Sequence, residues 1–155
     1  MGESLRTRLY RLAFNLYPSY RRSGGWITHI EDDWSELRLR LPLNWRTRNV
    51  VGTIFGGSLY AAVDPMYMMQ LLKRLPDDYV VWDKAAEIQF KQPATETVYA
   101  TFEMPDEEVA AVQSALESTD SVDREYTVDL VDDDGEVYAT VEKTVHVSTD
   151  EAKRV

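Results

Sequence analysis

The sequence predicts an α+β fold in which a curved antiparallel sheet wraps around one long central helix, with an extra helix at the N-terminus. Two observations support this prediction. From Trp26 onward most segments alternate with a period of two, which is typical of half-buried strands. Residues 59–72 instead are apolar at nearly every position, with Asp64 and Gln70 as the exceptions. A helix that is apolar on all sides is expected to be enclosed on all sides, and a curled sheet provides that enclosure.

The first element is an amphipathic helix over residues 4–17. Its leucines recur at helical spacing with arginines between them, and Pro18 ends it. We expect this helix to pack on its own domain, although a basic amphipathic helix also suits the surface of an anionic membrane. We assign residues 1–22 to the N-terminal helix and 23–149 to the core of a single domain that covers residues 1–155.

The remaining elements follow from changes of period and from turn residues. Residues 24–42 predict two strands joined near Asp32 and Asp33, and the central helix runs from about Gly56 to Leu75. Two strands, at 79–92 and 95–104, precede a short helix at 105–117, and a hairpin at 126–147 turns at Asp134-Gly135. In the first of these strands we expect one face to carry Val80, Trp82, Ala86, Ile88 and Phe90.

Composition excludes several classes of function. The chain has no cysteine and only two histidines, so a thiolate nucleophile is excluded and a multi-histidine metal site is not expected. We expect neither a metal nor a cofactor. The net charge of −10 argues against nucleic acid as a partner. Twelve arginines against five lysines in so acidic a chain indicate a halophilic source. No segment predicts a signal peptide or a membrane span, so we expect a soluble, cytoplasmic protein.

The stretch from Asn49 to Asp64 carries the candidate chemistry. A helix that begins at Gly56-Gly57 offers unpaired backbone N–H groups and a partial positive charge, which stabilise a developing oxyanion. Asp64 then lies two turns inside that helix, where a carboxylate can act as a general base or a nucleophile. Asn49 is suited to orient the water or the carbonyl.

Each of these residues also has a purely structural interpretation. Gly56 and Gly57 suit the turn into a helix, and Asn49 suits a loop in which it bonds its own backbone. Because Pro65 follows Asp64, the aspartate is also suited to cap a helix that restarts with Pro65 at its first position. The residues alone leave both interpretations open.

The order Asn49, Gly52, Gly56-Gly57 and Asp64 resembles the motif of the hot-dog-fold thioesterases of the phenylacetyl-CoA thioesterase type. The chain as a whole resembles the uncharacterised DUF4442 branch of that superfamily, over roughly residues 20–150. Phe55 stands where that family usually has histidine. The resemblance implies a homodimer or a dimer of dimers, with each site shared between the acid of one subunit and the glycines of the other.

The leading functional hypothesis is hydrolysis of an acyl thioester, with acyl-CoA as the expected substrate and Asp64, Asn49, Gly56 and Gly57 as catalytic residues. Phe55, Gly52 and Met68 are the candidate substrate-binding residues, and the neighbouring Met66 and Met69 are suited either to an acyl tunnel or to the core. Arg46, Arg48 and Lys91 are suited either to bind the phosphates of coenzyme A or to act as solvated counter-charges on an acidic protein. The alternative function is a non-catalytic protein that binds a fatty acyl chain or another apolar ligand. A hot-dog dehydratase is a weaker third choice, because neither His29 nor His146 lies near an acid in the short motif usual for that class.

Overall fold

The computed structural model describes residues 2–149. Five helices lie in this range: α1 (Leu5–Leu16), α2 (Pro18–Arg21), α3 (Gly56–Val63), α4 (Met66–Arg74) and α5 (Asp106–Ser118). The six strands are β1 (Trp26–Ile30), β2 (Glu36–Leu41), β3 (Tyr79–Phe90), β4 (Val98–Glu103), β5 (Ser121–Val131) and β6 (Val137–Thr149). The predicted order of elements is confirmed, with α2 as an added turn of helix.

The six strands form one sheet in the order β1-β2-β4-β5-β6-β3, and every neighbouring pair is antiparallel. The two edges are therefore β1 and β3. Apolar side chains from the inner faces of the strands pack with those of α3 and α4 in one continuous core. The predicted α+β class, with an antiparallel sheet around central helices and an extra N-terminal helix, is confirmed.

The central helix is two helices rather than one. It breaks at Asp64 and Pro65, because proline has no N–H to donate and disfavours helical geometry in the residue before it. Pro65 is the N-cap of α4 rather than its first helical residue, and Asp64 ends α3 without capping α4. Inside α4 the buried amide of Gln70 donates to the carbonyls of Trp34 and Phe102, each at 3.1 Å.

Enclosure of the central helices is one-sided in the single chain, contrary to the expectation from their composition. The face that contacts the sheet is buried, as Leu59, Met66 and Leu71 show. The opposite face is only half-buried, and Leu72 on it is 39% exposed. Six strands curl around one side of the helical layer and leave the other side open.

Strand β3 does not present the single face that its sequence pattern predicts. Lys84 is an extra residue at a register shift between Asp83 and Ala85, which is a β-bulge. The bulge reverses the alternation, so Trp82 lies on the outer face against His146, with ring centroids 5.6 Å apart. Ala86 and Ile88 lie opposite Lys143 and Val141 on the inner face.

Helix α1 packs on its own domain as expected, and it does so through its polar side, where Thr7 and Asn15 are buried. Buried Asn15 accepts from the Ile27 N–H at 2.7 Å and donates to the Ile27 carbonyl at 2.9 Å. Glu3 accepts from the Ile30 N–H at 3.2 Å. An edge strand presents free backbone groups, which require polar partners. The leucines of α1 are consequently left on the outside.

None of the helices in residues 2–149 is both long and apolar enough to cross a lipid bilayer.

Replacing Asn15 by alanine tests the attachment of α1 to β1. Asn15→Ala leaves the Ile27 N–H and carbonyl buried without partners, so we expect the free energy of unfolding to fall by about 2 kcal/mol or more. Urea denaturation measures this change. The exposed Ser19→Ala is the control and should alter stability by less than about 0.5 kcal/mol. Equal stability of Asn15→Ala and the unmodified chain would contradict the assigned role.

Candidate active site

The start of α3 presents two backbone N–H groups without acceptors. Among residues 2–149, no group accepts a hydrogen bond from the N–H of Gly56 or Gly57, whereas the next two N–H groups both donate to the Phe55 carbonyl, at 2.9 and 3.2 Å. The glycines lie against aromatic rings. A Cβ on Gly56 would be 3.1 Å from Cζ of Phe90, and one on Gly57 would collide with the ring of Phe55. A larger residue at either position would therefore displace one of these exposed rings.

The loop before α3 is organised by Asn49. Its Oδ1 accepts from the N–H groups of Val51 and Thr53, each at 3.0 Å, and its Nδ2 donates to the Thr53 hydroxyl at 2.8 Å. Gly52 has a φ of +88°, a conformation that favours glycine. These contacts match the structural interpretation of Asn49 as a residue that bonds its own loop, and they hold the loop that leads to Phe55.

Asp64 lies in a cluster with Tyr60, Asp83 and Lys143. Its Oδ1 accepts from the Tyr60 hydroxyl at 2.6 Å and from Lys143 Nζ at 2.7 Å, and Lys143 Nζ is also 3.2 Å from Asp83 Oδ1. The Lys143 side chain is 1% exposed, whereas that of Asp64 is 43% exposed. Among residues 2–149, no group donates to Asp64 Oδ2. One oxygen of this carboxylate is therefore fixed and the other is available.

Burial and charge act in opposite directions on the ionisation of this cluster. Burial disfavours the Lys143 ammonium, but hydrogen bonds to Asp64 and Tyr60 and the charge of Asp83 outweigh it, so the pKa of Lys143 is raised. Burial raises the pKa of Asp83, and the Lys143 ammonium compensates only in part. Burial, followed by the hydrogen bond to Asp64, raises the pKa of Tyr60. Lys143 is therefore a cation at neutral pH, and Tyr60 is a neutral donor.

A groove of about 490 Å³ opens at this cluster. Asp64 and Tyr60 line one side, and the inner face of β3 from Asp83 to Ile88 lines the other. Asp64 is seven residues beyond Gly57, which at 1.5 Å per residue is about 10 Å along the helix axis. Within one chain, the free N–H groups and the carboxylate are therefore too far apart to contact the same carbonyl group.

The domain-of-unknown-function model DUF4442 matches residues 6–147 of the chain. The chain belongs to the DUF4442 family. No curated protein matches it. The family assignment agrees with the predicted resemblance, and it covers the N-terminal helix as well as the sheet.

Solved structures share the fold of this DUF4442 chain. A Pseudomonas aeruginosa protein of unknown function, named a probable thioesterase, is 18% identical with a TM-score of 0.84, over 96% of this chain and 99% of that one. A thioesterase from Haemophilus influenzae is 14% identical with a TM-score of 0.66, over 97% and 94% of the two chains. A Pseudomonas aeruginosa thioesterase variant is 13% identical with a TM-score of 0.66, over 92% and 93%. At these identities the likeness shows the hot-dog fold.

Sequence reasoning about the DUF4442 chain missed Tyr60, Asp83 and Lys143. Lys143 had a signal, because it interrupts the inward series Val137, Ala139, Val141, Val145 and Val147 of β6. Tyr60 precedes Asp64 by four residues and therefore shares its helix face. Asp83 had none, because the bulge at Lys84 determines which face it occupies.

The other predicted residues of the DUF4442 chain do not share this groove. Met66 is fully buried in the core, and Met68 and Met69 are half-buried on the open face of α4. Arg46 lies beside Trp45, and Lys91 lines a separate groove with Asp129 and Glu136. The two histidines pair with carboxylates elsewhere, His29 with Glu31 and His146 with Asp123.

Replacing Lys143 by methionine tests the cluster. Lys143→Met leaves two carboxylates without their cation, so we expect the free energy of unfolding to fall by about 3 kcal/mol at pH 7. Urea denaturation measures the change. Adding Asp83→Asn should recover part of the loss, because it removes the more buried of the two charges. A Lys143→Met chain as stable as the unmodified one would show that Lys143 does not hold the cluster together.

The raised pKa of Asp83 predicts that the effect of Asp83→Asn on the free energy of unfolding depends on pH. A raised pKa means that the folded chain binds the Asp83 proton more tightly than the unfolded chain does. The contribution of Asp83 to stability is therefore greatest at low pH and falls as the pH rises through its raised pKa. As the pH rises from about 4 to about 7, across the usual carboxyl range, we expect Asp83→Asn to become more stable relative to the unmodified chain. Urea denaturation at each pH measures this difference. A constant difference would contradict the raised pKa.

Proposed function

We propose that the protein hydrolyses an acyl thioester, with acyl-CoA as the proposed substrate. The observation that carries this proposal is the pair of N–H groups at Gly56 and Gly57, which have no acceptor among residues 2–149. The first N–H groups of a helix carry a partial positive charge and bind anions. A thioester carbonyl placed on them would have its oxyanion stabilised by about 3 kcal/mol for one well-placed donor.

Asp64 is the proposed general base or nucleophile. Tyr60 and Lys143 fix its Oδ1, and its Oδ2 is left for a water molecule or for the thioester carbon. A carboxylate held in one orientation by two donors loses little freedom when the transition state forms. Tyr60 and Lys143 are accordingly proposed as positioning residues, which act through Asp64 rather than on the substrate.

The proposed site is shared between two copies of the chain. Because Asp64 is about 10 Å along the helix from Gly57, the glycines of one copy need the carboxylate of another. The open edge strand β3 lines the groove beside Asp64 and carries an exposed aromatic residue, Phe90, that is 56% exposed. A second copy that pairs along β3 would cover this edge and bring its own α3 towards the groove. We therefore propose a homodimer through β3.

The neighbours named as thioesterases support hydrolysis, since several proteins of this fold carry that name. Asn49, predicted as a catalytic residue, and Gly52, predicted to bind substrate, are instead proposed to shape the loop before the N–H groups. Phe55 would contact the substrate, because its ring is 58% exposed beside Gly57. Met68 would contact an acyl chain from the open face of α4.

One observation favours a second function, the binding of a fatty acyl chain without hydrolysis. Phe55 stands where the thioesterase motif that the chain resembles has histidine, and its ring packs against Gly57, so it adds apolar surface next to the proposed oxyanion site. Purified protein that retains an acyl ligand in native mass spectrometry, yet releases no thiol from acyl-CoA, would favour this function over hydrolysis.

The catalytic role of Asp64 is tested by Asp64→Asn. This change keeps the shape of the side chain but removes the base, so we expect the rate of thiol release from acyl-CoA to fall at least about a hundred-fold. A thiol-reactive dye measures the release across a panel of acyl chain lengths. The exposed Asp77→Asn makes the same change of charge outside the groove and should retain full activity. Full activity of Asp64→Asn would exclude Asp64 as the base or nucleophile.

A complementation experiment tests the shared site. Asp64→Asn and Gly57→Val should each be inactive as homodimers, but a mixed dimer has one intact site, made of Gly57 from the first chain and Asp64 from the second. Random mixing makes half of the dimers mixed, so about a quarter of the unmodified activity should return. Co-expression with two different tags allows the mixed dimer to be isolated. Mixed dimers without activity would show that the site lies within one chain.

A further inference from the structure

The outer side of α1 is an apolar surface exposed to solvent. Leu5, Leu9, Leu12 and Leu16 are 75, 61, 48 and 52% exposed. They recur on one side of the helix over about 16 Å. Asn15, on another side of α1, and Glu3, just before the helix, are bonded to the β1 edge, so the helix cannot turn its leucines inward without losing those bonds. The exposure is therefore fixed by the fold.

Basic side chains border this surface. At 100° per residue, Arg6 and Arg8 lie on either side of the leucines. At the C-terminal end, Leu16 lines a groove of about 570 Å³ with Trp45 and three arginines, namely Arg21, Arg22 and Arg46. Within residues 2–149, no carboxylate lies within 4.0 Å of these three guanidinium groups. Residues 1–22 contain five arginines and one acid, in a chain whose net charge is −10. Positive charge is thus concentrated where the leucines are exposed.

We infer that this surface, hereafter the leucine face (Leu5, Leu9, Leu12 and Leu16, with Trp45 and the bordering arginines), binds an anionic lipid bilayer. Leucines on one side of a helix enter the boundary between headgroups and acyl chains, while arginines at its border contact phosphates. Trp45, which is 81% exposed, has the amphipathic ring that favours this boundary. The inference does not depend on the proposed hydrolase activity.

A lipid surface fits the leucine face better than a second copy of the chain does. A two-fold contact places the same patch on both sides, so the arginines of one copy would approach those of the other. An anionic bilayer instead supplies phosphate groups along the whole border. The helical spacing of the leucines places them along one line. Attachment at Glu3 and Asn15, near the two ends of α1, holds that line in place, as binding to a flat surface requires.

Vesicle flotation with the full-length chain tests the inference. We expect the protein to float with vesicles of phosphatidylcholine and phosphatidylglycerol at least about ten-fold more strongly than with phosphatidylcholine alone, and less so as salt is raised. Leu9→Gln with Leu12→Gln should lower binding by about ten-fold or more, since it removes two leucines from the apolar contact. Arg21→Gln with Arg22→Gln should lower binding to anionic vesicles by a similar factor.

The charge control is Lys84→Gln with Lys91→Gln, which removes one positive charge from β3 and one from the residue directly after it, and should leave binding unchanged. All substituted side chains are exposed, and circular dichroism confirms that each variant is folded at the salt used. Equal flotation with neutral and anionic vesicles would overturn the inference, as would unchanged binding of the leucine variant. A different pair of results would assign the leucine face to a second copy instead. In that case the unmodified chain does not bind vesicles, and light scattering gives a lower assembly mass for the leucine variant than for the unmodified chain.

Discussion

The ammonium of Lys143 is the interaction on which the arrangement of the site depends. It comes from the inner face of β6, and its partners are Asp64 at the break between α3 and α4 and Asp83 on the edge strand β3. A buried cation needs compensating charge, and two carboxylates from two other elements provide it. Three parts of the fold are therefore held in register by one side chain. The break at Pro65 belongs to the same arrangement, because it ends α3 at the residue that Lys143 contacts.

Much of the fold was predictable because period and turn residues are local signals. The alternation of β2, β4 and β6 and the apolar run of residues 59–72 gave the order of elements correctly. Two features depend on contacts that no local pattern contains. The bulge at Lys84 reverses the faces of β3, and the free backbone of β1 decides which side of α1 faces inward. The leucine spacing of α1 correctly predicts a helix, but spacing alone does not say what that helix covers.

The candidate site likewise contains residues that sequence spacing identifies and residues that only the folded chain brings together. Gly56, Gly57 and Asp64 are recognisable from spacing because a helix start and an acid within it are local features. The partners of Asp64 come from elsewhere in the chain, and only the structure brings Lys143 and Asp83 to it. Asn49 shows the reverse case, since its three hydrogen bonds all lie within four residues. The motif thus identifies the position of the acid, while the sheet supplies the charge around it.

The attachment of α1 also has a consequence for the proposed homodimer. A sheet with two open edges can add copies at both, and nothing then ends the ribbon. Here Asn15 and Glu3 occupy backbone groups of β1, so β3 is the one edge left for strand pairing within residues 2–149. If two copies pair through β3, as proposed, the described residues leave no further open edge and strand addition would stop at two. Asn15 and Glu3 would therefore favour closure of the proposed homodimer over polymerisation.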